Sequence, residues 1–127
     1  MTAIPAPGAA PAVADLDLLF RGIADETRLR ILNALAAGEL YVGDLVEILR
    51  LPQSTVSRHL AYLRRAALVE ATREWKFARY RLAEPEHSVH RNIVECVRSC
   101  FVGIPSLDRE RAVAARRVSE RREDARV

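Results

Sequence analysis

Apolar residues fall at helical spacing in five blocks of this chain and at alternating spacing in one, and the order of the blocks predicts an architecture. Leu16, Leu19, Phe20 and Ile23 share one face of a short helix that Asp15 is placed to cap. A second helix fits Glu26 to Ala36 with Leu29, Leu32 and Leu35 inward, and Gly38 stands where a helix end favours a residue without a Cβ. Leu40 and Tyr41 read as a brief extended link. A third helix runs from about Gly43 to Leu49, Arg50 and Leu51 turn the chain, and Pro52 suits the first turn of a fourth. In that fourth helix Val56, Leu60 and Leu63 recur at i, i+4, i+7, the spacing of a single buried stripe. Two short helices joined by a tight turn make a helix-turn-helix.

After Ala67 the period changes to two. Leu68 to Arg73 and Phe77 to Leu82 are expected strands around Glu74-Trp75-Lys76, a β-hairpin or wing. Pro85 is expected to open a fifth helix reaching about Phe101, with Val89, Ile93, Cys96, Val97, Cys100 and Ile104 on one face, until Pro105 interrupts it. The segment 106–127 holds seven arginines and five acids with few apolar residues, so it reads as a charged tail, at most a solvated or frayed helix. The expected fold class is mainly α with a small β-hairpin wing, a winged helix-turn-helix that dimerises through its first and last helices.

At 127 residues, half of them hydrophobic and 29% charged, the chain suits one packed domain. That domain is placed at 15–105, between an Ala/Pro-rich arm at 1–14 and the tail. The arm carries Pro5, Pro7 and Pro11 and no basic start, so it reads as disordered and not as a signal peptide. No run approaches the roughly 18 apolar residues of a membrane helix. A cytoplasmic protein with two reduced cysteines is expected.

Net charge is only +3, but residues 54–81 hold seven basic side chains against Glu70 and Glu74, a local +5, which leaves −2 for the rest. An arginine-rich composition alone explains the number of these charges, but explains less well their placement around the fourth helix. The polar face of that helix offers Gln53, Ser54, Thr55, Ser57, Arg58 and His59, the donor types that read base edges and hold phosphates in a major groove. Arg58 has the bidentate geometry for a guanine or a phosphate and Gln53 for an adenine edge. Arg73, Lys76 and Arg79 on the wing are expected to meet backbone phosphates, which position a protein without specifying sequence.

The blocks Asp25-Glu26-Thr27-Arg28-Leu29-Arg30-Ile31-Leu32, Glu39-Leu40-Tyr41-Val42-Gly43-Asp44-Leu45, Gln53-Ser54-Thr55-Val56-Ser57-Arg58-His59-Leu60 and Arg79-Tyr80-Arg81-Leu82 together resemble the ArsR/SmtB-type winged-helix repressors of bacteria. The resemblance covers about Leu16 to Phe101 and implies a homodimer on a palindromic operator that leaves when an inducer binds. Two apolar stripes on a core of fewer than about 100 residues point to a second copy independently. Family members often carry Gly where Ala67 and Trp75 stand; Trp75 is expected to pack back onto the sheet, the other option being insertion beside a sugar.

The resemblance also bears on the inducer. The metal-sensing branch has Cys-Val-Cys in the third helix, where this chain has Tyr41-Val42-Gly43, so that thiolate site is absent. A second family site, of Asp, His, His and Glu, aligns with Glu84, Glu86, Val97 and Cys100, a poor set for zinc-like ions; His87 and His90 offer at most a partial one. Cys96 and Cys100, at i and i+4, lie on one helix face within reach of a single soft ion. They are the expected inducer site, for trivalent arsenic or antimony with a third ligand from solvent, His90 or the other subunit. Two alternatives stand beside it: thiol redox or reactive-sulfur sensing by the same pair, and plain packing of two small apolar side chains. No cofactor is required and no catalytic constellation is present, so an enzyme is not expected. A function of another class, a winged-helix protein-interaction module that never touches DNA, also fits the fold.

Overall fold

The computed structural model describes residues 10–126, so most of the predicted N-terminal arm lies outside the described residues. Its elements are α1 (Val13–Ile23), α2 (Glu26–Leu35), β1 (Leu40–Tyr41), α3 (Val42–Leu49), α4 (Gln53–Arg65), β2 (Val69–Glu74), β3 (Phe77–Leu82), α5 (Ser88–Cys100) and α6 (Pro105–Arg126). The strands form one antiparallel sheet in the order β1-β3-β2. The predicted link at Leu40 and Tyr41 is therefore a strand, paired with Tyr80 and Arg79 of β3.

The helices begin and end where side chains satisfy loose backbone groups. In α1 the helix starts two residues before Asp15, whose carboxylate reaches back to the Ala12 N–H at 2.8 Å. Asp25 caps α2 by accepting from the Arg28 N–H at 3.0 Å. Pro52 stands just outside α4 and not in its first turn. Pro85 likewise lies in the loop before α5, which begins three residues later than expected.

The two positions where the family favours glycine are both left-handed. Ala67 has φ 62°, with the Ala67 N–H bonded to the Arg64 carbonyl and the Leu68 N–H to the Leu63 carbonyl, the paired bonds of a Schellman helix end. Trp75 has φ 58° at the first position of the two-residue turn joining Glu74 to Phe77. Trp75 does not pack onto the sheet as expected; it is 83% exposed at the wing tip, with the Lys76 ammonium 5.0 Å from its ring.

One core runs through α1 to α5 and the base of the wing, centred on Leu19, Ile31, Leu32, Leu45, Val56, Leu60, Leu63 and Leu68, all fully buried. The largest departure from expectation is α6. The predicted charged tail is a 22-residue helix whose Ala114 and Val118 belong to that core. Its stripe is narrow, Leu107, Ala114 and Val118 with the Arg111 stem, so polar contacts supply the rest of its attachment. Glu110 accepts from Arg30 Nε and Nη2, and Arg111 donates to the Asn33 side chain and to the carbonyls of Val97 and Arg98, closing the end of α5. Val118 stands so close to Gly38, itself at φ 146°, that a Cβ there would lie 2.8 Å from it. The helix bearing the cysteines is thus not the last one, and the domain does not stop at 105.

Candidate nucleic-acid interface and thiol pair

The recognition helix candidate, α4, is held by its inner face. Val56, Leu60 and Leu63 are fully buried, while Gln53, Ser54, Ser57 and Arg58 face outward and are exposed. Thr55 is half-buried. The α4 face predicted to read DNA is therefore present as an outward polar surface, but it is smaller than the sequence suggested, because His59 is half-buried and engaged by Arg28.

His59 sits against a guanidinium that joins three helices. Arg28 of α2 donates to the α1 carbonyls of Gly22 and Arg21 at 2.8 and 2.9 Å, meets His59 Nδ1 at 3.2 Å and stacks over the Tyr62 ring at 4.2 Å. A guanidinium only donates, so His59 Nδ1 accepts and the ring is neutral with its proton on Nε2. Burial, with Arg28 and Arg58 beside it, holds the imidazole below its ordinary pKa, and Asp25 at 3.9 Å opposes them.

On the wing, Arg73 and Lys76 are exposed, as a phosphate contact requires. Arg79 is not free in the same way: it pairs with Glu39 at 3.1 Å and Glu74 at 2.9 Å. Arg81 pairs with Glu70, directly across the β2–β3 ladder, at 2.8 Å. Two of the cations counted in the local +5 are thus balanced by carboxylates, one of them, Glu39, from outside that stretch. Cross-strand register was the signal that links Glu70 to Arg81.

The thiol pair lies on α5, which has two apolar faces rather than one. His90, Val94 and Val97 point into the core, whereas Val89 and Ile93 are half-buried on the other face and Cys96 and Cys100 are exposed along it. Val97 therefore leaves the predicted stripe, and the cysteines do not pack inside the protomer. The neighbouring Cys100 side chain, with some burial, raises the Cys96 thiol above its ordinary pKa, while Cys100 Sγ lies 3.8 Å from Ser99 Oγ. Within the protomer His90 is buried on the core-facing side, about 100° around the helix from the cysteines. Among the described residues no three His, Cys, Asp or Glu side chains converge as a metal site.

A helix-turn-helix with an outward polar second helix, followed by a basic two-stranded wing, defines a winged helix-turn-helix protein of the nucleic-acid-binding type. The family model for "Bacterial regulatory protein, arsR family" matches residues 25–71. The solved structure of HlyU from Vibrio cholerae superposes with a TM-score of 0.60 at 35% identity, covering 70% of this chain and 94% of that one. The homodimeric winged helix-turn-helix DNA-binding domain Mb0332 of Mycobacterium bovis, a possible ArsR-family transcriptional regulator, superposes with a TM-score of 0.59 at 26% identity, covering 76% of this chain and 90% of that one. The regulator CmtR of Mycobacterium bovis is 50% identical over 66 residues, 52% of this chain and 56% of its own length, so the match spans about half of that relative. This chain belongs to the ArsR family of bacterial regulatory proteins.

Proposed function

We propose that this protein is a homodimeric transcriptional repressor that binds operator DNA through α4 and the wing and is released by trivalent arsenic or antimony at Cys96 and Cys100. The observation that carries the DNA reading is the outward face of Gln53, Ser54, Ser57 and Arg58 standing next to the exposed Arg73 and Lys76. Support for the dimer comes from apolar surface left on the protomer: Val13 and Phe20 of α1 and the outer face of α5 are uncovered. The sensor reading rests on two exposed thiols one helical turn apart on that same α5 face. A disulfide between adjacent turns of one helix would require the helix to distort, which disfavours a redox pair within the protomer. Arsenite avoids that difficulty: As(OH)₃ and two thiols give (RS)₂AsOH and two waters, the thiol protons leaving on the hydroxides.

The test is an anisotropy titration of a fluorescent duplex recovered by selection from a random pool. Affinity falls steeply with salt as phosphate contacts release counterions; a flat dependence identifies a protein-interaction module. Arsenite or antimonite releases the wild type and leaves the double variant Cys96→Ser, Cys100→Ser on DNA. If only peroxide or polysulfide releases the wild type, reversibly with reductant, the pair is a redox or reactive-sulfur sensor instead.

A further inference from the structure

We propose that the cleft between the wing, the start of α3 and α6 seats a backbone phosphate of the operator, and that Arg121 of α6 is one of its ligands. The proposal rests on the DNA-binding reading above and extends the interface to a helix that lies outside the stretch matched by the family model. The cleft encloses about 530 Å³, and its wall includes Gln53, the first residue of α4, together with Arg73, Lys76 and Arg121. Three cations and no carboxylate line it. Such a wall concentrates positive potential in a concave, partly desolvated place, and a phosphodiester is the anion that the neighbouring α4 face would bring there.

Arg121 is prepared for the role. Its Nη2 donates to Asp44 Oδ1 at 2.7 Å and its guanidinium lies 4.9 Å from the centre of the Tyr41 ring, while 46% of its side chain stays exposed. A guanidinium has five N–H donors, so the bond to Asp44 leaves others for an oxyanion, and the two contacts fix the plane before the ligand arrives. Asp44 does not cancel the site by itself, because it is shared with Arg117, which bonds the same Oδ1 at 3.0 Å from outside the cleft.

The experiment measures the slope of log Kd against log potassium chloride for the selected duplex, with the full chain as wild type, Arg121→Ala, Arg117→Ala and Arg122→Ala. Loss of one phosphate contact lowers the slope by about one and weakens binding on every sequence alike. Arg121→Ala is expected to do this, and Arg122→Ala, the same charge change one residue along α6, is not. Arg117→Ala removes the other partner of Asp44 without touching the cleft, and is expected to leave the slope unchanged while lowering the melting temperature. Equal slope changes for Arg117→Ala and Arg121→Ala make the effect structural and overturn the proposal, as does an unchanged slope for Arg121→Ala beside a steep wild type. A flat wild-type slope removes the DNA-binding reading itself, a distinct failure. Inorganic phosphate at fixed ionic strength is expected to compete no better than sulfate; if it displaces DNA from the wild type and not from Arg121→Ala, the cleft takes a free oxyanion and the operator assignment is overturned.

Discussion

Asp44→Ala tests whether α6 is structurally part of the DNA-binding domain. Asp44 is fully buried in the first turn of α3 and accepts three bonds, from the Tyr41 N–H at 2.9 Å, Arg117 Nη1 at 3.0 Å and Arg121 Nη2 at 2.7 Å. Removing the cap costs about 1 kcal/mol. A charge-assisted hydrogen bond contributes about 1.5–3 kcal/mol when its partners stay desolvated. Here the arginine side chains are 29% and 46% exposed and return to water once released, so about 1 kcal/mol for each is the appropriate share. The variant is therefore expected to lose about 3 kcal/mol, roughly 10 °C in Tm for a domain of this size. Urea unfolding followed by circular dichroism, at one fixed protomer concentration, gives the value, and the cycle of Asp44→Ala with Arg117→Ala isolates the pair. A loss below about 1 kcal/mol for Asp44→Ala, or a coupling energy near zero, refutes the reasoning: α6 would then be held by its short apolar stripe and its contacts to Arg30 and Asn33, without Asp44.

Ala67→Gly is expected to stabilise the fold by about 0.5–1 kcal/mol, because the left-handed helix end at φ 62° costs an alanine more than glycine loses in unfolded-state entropy; a lower urea midpoint would contradict this. Arg58→Ala should weaken operator binding by about tenfold while sedimentation shows an unchanged assembly, and equal affinity removes Arg58 from the interface. His59 and His90 both titrate below 6.5 in the folded chain, chiefly through burial, so the unfolded chain binds more protons just below that pH. Stability should then fall as pH drops through the mid-six range, and His59→Gln with His90→Gln should flatten that slope in melts taken between pH 7.5 and 5.5.

The elements that were legible from the residues are those whose signal is local. Val56, Leu60 and Leu63 form the inner face that the 3.6-residue period required, and the alternation around Trp75 became the hairpin. What escaped depended on partners distant in sequence. The segment 106–127 looked solvated because its buried stripe rests on an alanine and a valine, and its other attachments, Arg30, Asn33 and Asp44, lie more than seventy residues away. On α5 the adjacent apolar pairs at 93 and 94 and at 96 and 97 are split between two neighbouring faces about 100° apart, which a single-stripe reading merges. His59 and Arg79 look like ligands for DNA in sequence because polarity does not reveal direction; Arg28 and Glu39 decide where they point.

Those long-range partners also explain how a small helix-turn-helix holds its angle. The two helices of the motif are tied to different neighbours by arginine. α3 is fastened to α6 through Asp44, and α4 is fastened to the end of α1 through Arg28, whose one planar group bonds Gly22 and Arg21 on one side and His59 and Tyr62 on the other. Apolar packing alone tolerates sliding along a stripe, because it is non-directional. A fork of donors at fixed angles does not. The outward face of α4 is thus set relative to α1, a helix whose exposed Val13 and Phe20 mark it as the side where a second copy would dock. The pitch of the proposed reading surface and the geometry of the proposed dimer are consequently linked through one side chain, Arg28, which sits in neither.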